Sequence, residues 1–183
     1  MDLIKLHKIK EWARKQMNLH GLNKWTFVWD TRAVRRYGQC RYHKKESLFN
    51  KPLEDVKKEI GITKKLANIN TFEESQDVVL HEIAHALVGR GHGHNEVWRN
   101  KCIEIGAKPE QYYQPEDRGG TVKQLKAKYL LVNKDTGEVY KKYWRRPQNK
   151  DWSGRWIRGK KSSTLGKLEV IGVNNTNQIT CSG

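Results

Sequence analysis

The sequence is poor in cysteine and in long apolar runs, and each shortage excludes a class of protein. Its 3 cysteines, Cys40, Cys102 and Cys181, are odd in number and far apart, which argues against a disulfide framework and predicts reduced thiols in a cytoplasmic setting. No apolar run reaches the roughly 18 residues of a membrane span, so we expect no membrane insertion. Charged residues interrupt the apolar runs near the N-terminus, so we also expect no signal peptide.

Acidic residues are few relative to basic ones. The chain has 20 Asp and Glu against 36 Lys and Arg, a formal net charge of +16 at pH 7. A positive charge of this size favours a polyanionic partner such as nucleic acid. Hydrophobic residues make up 36% of the 183 residues, which is low but allows one domain of ordinary size with an appendage.

The most informative segment is His81-Glu82-Ile83-Ala84-His85. Two histidines four residues apart on a helix project from one face, within reach of one metal ion. The glutamate beside the first histidine can accept a proton from water that the metal activates. A catalytic zinc site keeps three protein ligands and one open position. The segment therefore predicts a hydrolytic metal site, and the alternative is a solvated, histidine-rich helix end.

The surrounding residues predict the helix that carries this motif. Thr71-Phe72-Glu73-Glu74 has the spacing of a capping box, so the helix should begin near Phe72 and run for about 17 residues. Gly89 and Gly91 should end it. The apolar stripe at helical spacing consists of Phe72, Val79, Ile83, Ala86 and Leu87.

Three residues compete to be the third ligand. His94 directly precedes Asn95, the predicted N-cap of a second helix, so its position is well defined. His92 lies between two glycines and is also explained as a solvated loop residue. Glu104 would suit a thermolysin-like site, but pairing with a nearby lysine on an exposed helix face explains it as well. These residues favour His94 and leave the other two open.

Together these features resemble the SprT-like metallopeptidases, a family that includes the Spartan-type proteases that cleave proteins crosslinked to DNA. The likeness lies in His81-Glu82-x-x-His85, a short glycine-rich connection, and His94-x-x-x-Trp98. The Trp-rich segment 25–29 and the segment Gly38-Gln39-Cys40 are more loosely similar. The resemblance covers about the first 110 residues.

The resemblance implies a zincin-like α+β domain over residues 1–115, with helices packed on a small antiparallel sheet. It implies Zn²⁺ bound by His81, His85 and His94, with Glu82 as the general base. Hydrophobic spacing adds a first helix over Leu3–Met17, two or three strands between Trp25 and Phe49, and a short helix from Pro52 through Ile60.

Residues 119–183 differ in composition and form a second predicted domain. They hold 14 Lys and Arg against 4 Asp and Glu, so +10 of the net charge lies here. Strands at Lys128–Val132 and Val139–Trp144, joined by a turn-rich segment, predict a hairpin in a small basic β-rich module. Family members often carry a four-cysteine zinc ribbon in this region, but Cys181 is the only cysteine after Cys102, so no such ribbon can form.

Cationic and aromatic side chains are interleaved in this module, which favours contact with phosphates and unpaired bases. The alternative is a small core of Tyr129, Trp144 and Trp156 surrounded by solvated charges. The candidate nucleic-acid-binding residues are Lys141, Lys142, Trp144, Arg145, Arg146, Trp152, Arg155, Trp156, Arg158, Lys160 and Lys161.

These observations lead to one hypothesis. The chain is a zinc-dependent endopeptidase that acts on DNA-associated or DNA-crosslinked proteins. We expect a cytoplasmic, DNA-associated monomer that prefers single-stranded DNA and does not bind membranes. The alternative is a nucleic-acid-binding protein with a structural or inactive metal site.

Overall fold

The computed structural model describes residues 1–43, 57–110, 122–148 and 151–173. The chain divides into two compact units, Met1–Gln124 and Leu125–Gly183, whereas composition placed the change at 115–119. The described part of the first unit combines four helices with a three-stranded sheet, and that of the second combines one short helix with another three-stranded sheet, so the fold class is α+β. Within the described residues, no helix is both long enough and apolar enough to cross a membrane.

Helices and a three-stranded sheet make up the first unit. Its elements are α1 (Leu3–Leu19), β1 (Thr26–Asp30), β2 (Gly38–Tyr42), β3 (Lys58–Thr63), α2 (Lys64–Ile69), α3 (Phe72–Val88) and α4 (Glu96–Glu104). The strand order is β1-β3-β2, with β3 parallel to β1 and antiparallel to β2. The sheet is therefore mixed, and the expectation of an antiparallel sheet was wrong for the β1–β3 pair.

The central strand β3 corrects a second expectation. Leu53, Val56 and Ile60 have helical spacing, but Ile60 lies in β3, and residues 44–56 fall outside the described part of the chain. The side chains of this segment alternate between two faces, as they do in a strand. Ile60 and Ile62 are fully buried on one face, and Glu59 lies on the other. The predicted helix was therefore wrong at residues 58–60.

Helix α1 forms where the sequence predicts and extends two residues beyond Met17, to Leu19. Asp2 caps it by accepting a hydrogen bond from the backbone N–H of Lys5, and the buried residues are Leu6, Ile9, Ala13 and Met17. Gly21 follows with φ of 74°, a left-handed conformation that suits glycine. The helix packs against α3 and β1.

Helices α3 and α4 begin where the sequence predicts. The capping box is present in α3, because the Thr71 hydroxyl accepts from the N–H of Glu74 while the Glu74 carboxylate accepts from the N–H of Thr71. The Asn95 side chain caps α4 by accepting from the N–H of Trp98 at 3.1 Å. Helix α3 packs on β2, β3, α1 and α4, so it lies at the centre of this unit.

The second unit contains β4 (Tyr129–Asn133), β5 (Val139–Tyr143), α5 (Lys161–Thr164) and β6 (Leu168–Gly172). The predicted hairpin is confirmed as the antiparallel pair β4–β5, and β6, which the sequence analysis missed, pairs with the other edge of β4. Leu131, Val132 and Leu168 are its buried hydrophobic residues among those described. The core is thus aliphatic rather than the aromatic one considered above.

Candidate functional site

Three imidazoles converge where α3 meets the start of α4. His81 and His85 lie one turn apart on α3, and His94 lies two residues before α4. The Nε2 atom of His94 is 3.2 Å from the Nε2 atoms of both His85 and His81. One ligand atom from each histidine lies within 4.8 Å of the others, so the group could hold a metal ion.

The indole of Trp98 forms the inner wall of this histidine cluster. It is fully buried, and its centroid lies 4.7 Å from that of His81, 5.1 Å from that of His85 and 4.5 Å from that of His94. The ring of His85 is stacked on it, while the other two meet it more steeply. Contact with all three rings limits their rotation, so the nitrogen atoms are held in place before any ligand binds.

Electrostatics keeps the imidazoles neutral. Burial, followed by the neighbouring histidines, lowers the pKa of His81 to about 3. Burial and His94 lower the pKa of His85 to about 4, and burial also lowers the pKa of His94. A metal ligand must present a free nitrogen lone pair, and these rings do so without first losing a proton at neutral pH.

Glu82 is buried beside the cluster, with 7% of its surface exposed. Burial raises the pKa of its carboxyl to about 8, and a hydrogen bond from the backbone of Cys40 and the charge of Arg36 oppose that rise. A nearby cation would favour the ionised form. A carboxyl whose pKa lies near neutral pH is suited to accepting and releasing a proton.

An open pocket of about 350 Å³ leads to Glu82 and His85. Cys40 and Tyr42 of β2 line one side, and the segment Gly89–His92 after α3 lines the other. The guanidinium of Arg90 lies 4.9 Å from the centroid of the Tyr42 ring, so the two sides of the pocket touch. Sequence reasoning missed Tyr42 and Arg90, because the pocket forms only when β2 packs beside α3.

The two other candidates for third ligand lie elsewhere. Glu104 is 64% exposed and forms an ion pair with Lys101, as its exposed-face interpretation predicted. His92 lines the pocket, and its Nδ1 atom is 3.1 Å from Nδ2 of Asn95. Neither joins the histidine cluster.

A second cleft, of about 470 Å³, is lined by Asp30 and Glu59 but by none of the three histidines. Each carboxylate has a cation beside it, with Arg36 2.6 Å from Asp30 and Lys57 2.7 Å from Glu59. Burial raises the pKa of both carboxyls, but hydrogen bonds and ion pairs outweigh it and leave each pKa below its ordinary value. This cleft is therefore a surface of paired charges.

In the second unit, the predicted nucleic-acid-binding residues differ in position and in the groups they contact. Lys141 and Lys142 lie on β5, and Arg145, Arg146 and Arg158 are exposed in the connecting segments. Lys160 is paired with Glu138 at 2.6 Å. Four rings each have a cation over them, at 4.7 to 5.4 Å: Tyr140 with Lys160, Tyr143 with Lys141, Trp152 with Arg155 and Trp156 with Lys161.

The three tryptophans of this unit differ in their surroundings. Trp144 is half-buried, and its indole N–H donates to the carbonyl of Leu125 at 2.7 Å. Trp152 is half-buried too, whereas Trp156 is 49% exposed. Trp156 is therefore the indole with most surface available for stacking, and Trp144 has a structural contact.

Comparison with known proteins bears on the first unit. A model of the SprT-like family matches residues 6–118, a span that contains the histidine cluster, Glu82 and the pocket beside them. No curated protein matches the chain.

Proposed function

This chain belongs to the SprT-like family, and from that membership and its three converging imidazoles we propose that it is a zinc-dependent peptidase. The family is associated with metallopeptidase-like activity, which fits a buried carboxylate next to a metal-binding cluster. The single observation that carries the proposal is the convergence of His81, His85 and His94 beside Glu82.

The donor set fits zinc. Two nitrogens each about 2.0–2.1 Å from one tetrahedral ion are roughly 3.3 Å apart. The distances from Nε2 of His94 to Nε2 of His85 and of His81 are both 3.2 Å, which is close to that value. Three neutral imidazoles leave one tetrahedral position open, as catalytic rather than structural zinc sites do.

When bound, zinc would supply Lewis-acid activation of water and of the scissile carbonyl. Glu82 would accept the proton that the attacking water loses and deliver it to the nitrogen of the leaving amine. His81, His85 and Trp98 would keep the site rigid, because all three side chains pack together. Tyr42 and Arg90 would border the bound peptide, since they line the pocket that reaches Glu82.

We also propose that the second unit brings this activity to DNA-associated proteins. Support comes from the charge of +10 over residues 119–183, most of which belong to this unit, and from the exposed indole of Trp156 among cationic side chains. Cations bind the phosphate backbone of any sequence, and an exposed indole favours unpaired bases. Tethering to DNA would raise the local concentration of protein substrates bound or crosslinked to it.

The test is cleavage of a protein crosslinked to single-stranded DNA by the zinc-loaded full chain and by Glu82→Gln. The amide keeps the shape of the side chain but cannot act as the base, so we expect the variant to bind zinc and to lose about a hundredfold to ten-thousandfold in rate. Glu104→Gln is the matched control, because its exposed carboxylate lies outside the cluster.

Equal rates for Glu82→Gln and the wild type would remove Glu82 from the mechanism. A wild-type chain that binds DNA and zinc but cleaves no protein would favour the alternative, a nucleic-acid-binding protein whose metal site is structural or inactive.

A further inference from the structure

Gly38, the first residue of β2, packs directly against Glu82. A Cβ atom built on Gly38 would overlap the Glu82 carboxylate, and it would lie 2.7 Å from Cγ1 of Val78 and 2.8 Å from Cγ of Glu82. Both side chains belong to α3, so any residue larger than glycine would push strand and helix apart or displace the carboxylate. The absence of a side chain at Gly38 therefore sets where Glu82 can lie.

The backbone of β2 also provides a hydrogen-bond donor to this carboxylate. The residues that flank β2 hydrogen-bond across to β3 and the residue before it. The carbonyl of Tyr37 accepts from the N–H of Thr63 at 2.7 Å, and the N–H of His43 donates to the carbonyl of Lys57 at 2.9 Å. In an antiparallel pair, residues whose backbone groups face the partner strand alternate with residues whose backbone groups face away from it. Cys40 is three residues from both Tyr37 and His43, so its N–H points away from β3. It hydrogen-bonds to the carboxylate of Glu82.

We propose that Gly38 and the backbone N–H of Cys40 form a clamp that positions the Glu82 carboxylate for proton transfer. Gly38 lets the strand approach, and the Cys40 N–H then holds one orientation of the carboxylate. The proposal rests on the proposed peptidase function and adds Gly38 as a positioning residue. Catalytic groups lose much of their effect when displaced by about 1 Å, so the clamp should act on kcat.

The kinetic test compares Gly38→Ala with Gly61→Ala in the full, zinc-loaded chain. Gly61 is a matched control in the neighbouring strand, where a Cβ would lie 3.2 Å from Cγ2 of Val28 and would not touch Glu82. We expect Gly38→Ala to keep its zinc and its KM within about twofold, and to lose about tenfold to a hundredfold in kcat. Gly61→Ala should retain the wild-type kcat. A normal kcat for a folded, zinc-loaded Gly38→Ala would overturn the clamp.

A second test needs no activity, so it separates failure of the clamp from failure of the peptidase function. It records the amide proton shift and hydrogen-exchange rate of Cys40 by NMR in the metal-free wild type and in Glu82→Ala. We expect an upfield shift and faster exchange at Cys40 in the variant, because its acceptor is gone. Unchanged Cys40 signals would overturn the clamp even if Gly38→Ala failed to fold.

A double-mutant cycle of melting temperatures is the third test. Since the added methyl group would overlap Glu82, Gly38→Ala should lower Tm less in the Glu82→Ala background than in the wild type. The Tm shifts of Gly61→Ala and Glu82→Ala should simply add. Additive shifts for Gly38→Ala as well would contradict the close contact on which the clamp depends.

Discussion

Truncation of Trp98 should lower both the stability of the fold and the affinity for metal, because this indole packs against the hydrophobic core and the histidine cluster. It is fully buried, and it packs with Ala84, Cys102 and Ala107 on one side and with the imidazoles on the other. Replacing a buried tryptophan by alanine typically costs about 3–5 kcal/mol. Domains of this size have only about 5–15 kcal/mol of unfolding free energy, so Trp98→Ala should leave a marginally stable chain.

Two further variants make this prediction specific. Among the described residues, the indole N–H of Trp98 has no hydrogen-bond partner, so Trp98→Phe removes no hydrogen bond and should cost less than Trp98→Ala. Trp156→Ala removes a 49% exposed indole, and surface substitutions usually change stability by about 0.5 kcal/mol or less.

The assay is urea unfolding of the metal-free protein by circular dichroism, with zinc affinity measured against a competing chelator. We expect Trp156→Ala to lower the unfolding free energy least, Trp98→Phe more, and Trp98→Ala most. Zinc affinity should fall only for the two changes at Trp98. Wild-type zinc affinity in Trp98→Ala, together with a loss of less than about 1 kcal/mol of unfolding free energy, would contradict this dual role of the indole.

Three further predictions concern pH and DNA. Because unfolded histidines titrate near pH 6.5 while His81 and His85 have pKa values of about 3 and 4, the unfolded chain gains protons first as pH falls. The metal-free protein should therefore lose stability as the pH falls from about 6.5 to about 4, which urea titrations at several pH values will measure. An unfolding free energy that stays constant over this range would contradict the burial of His81 and His85. Trp156→Ala should weaken binding to single-stranded DNA more than to duplex DNA in fluorescence anisotropy, and equal losses would argue against stacking. Replacing Arg145 and Arg146 by glutamine should weaken both and flatten the salt dependence, whereas an unchanged slope would exclude phosphate contacts.

Helices around the site were predictable because their signals are local. The capping box at Thr71 and the cap at Asn95 each involve residues three positions apart, so the sequence determined where both helices begin. With both helix starts fixed, His94 could be favoured over Glu104. Pairing of Glu104 with a nearby lysine was also predictable, although the sequence left Lys101 and Lys108 as alternatives, and the structure has Lys101 at i,i+3 spacing.

The sheet and the surroundings of Glu82 were not predictable, because they depend on residues far apart in sequence. Ile60 fits a helical pattern locally, and only pairing with both β1 and β2 makes its segment a strand. The contact between Gly38 and Glu82 spans two elements that become neighbours on folding. In the second unit, composition could not show that Trp144 has a structural hydrogen bond while Trp156 stays exposed.

The most direct test of the central claim is zinc analysis of the purified wild-type chain, His94→Ala and Glu104→Ala. We predict one zinc per wild-type chain, loss of zinc in His94→Ala, and full zinc in Glu104→Ala, because only His94 joins the two histidines of α3 in the cluster. Full zinc in His94→Ala together with loss in Glu104→Ala would contradict this account of the metal site.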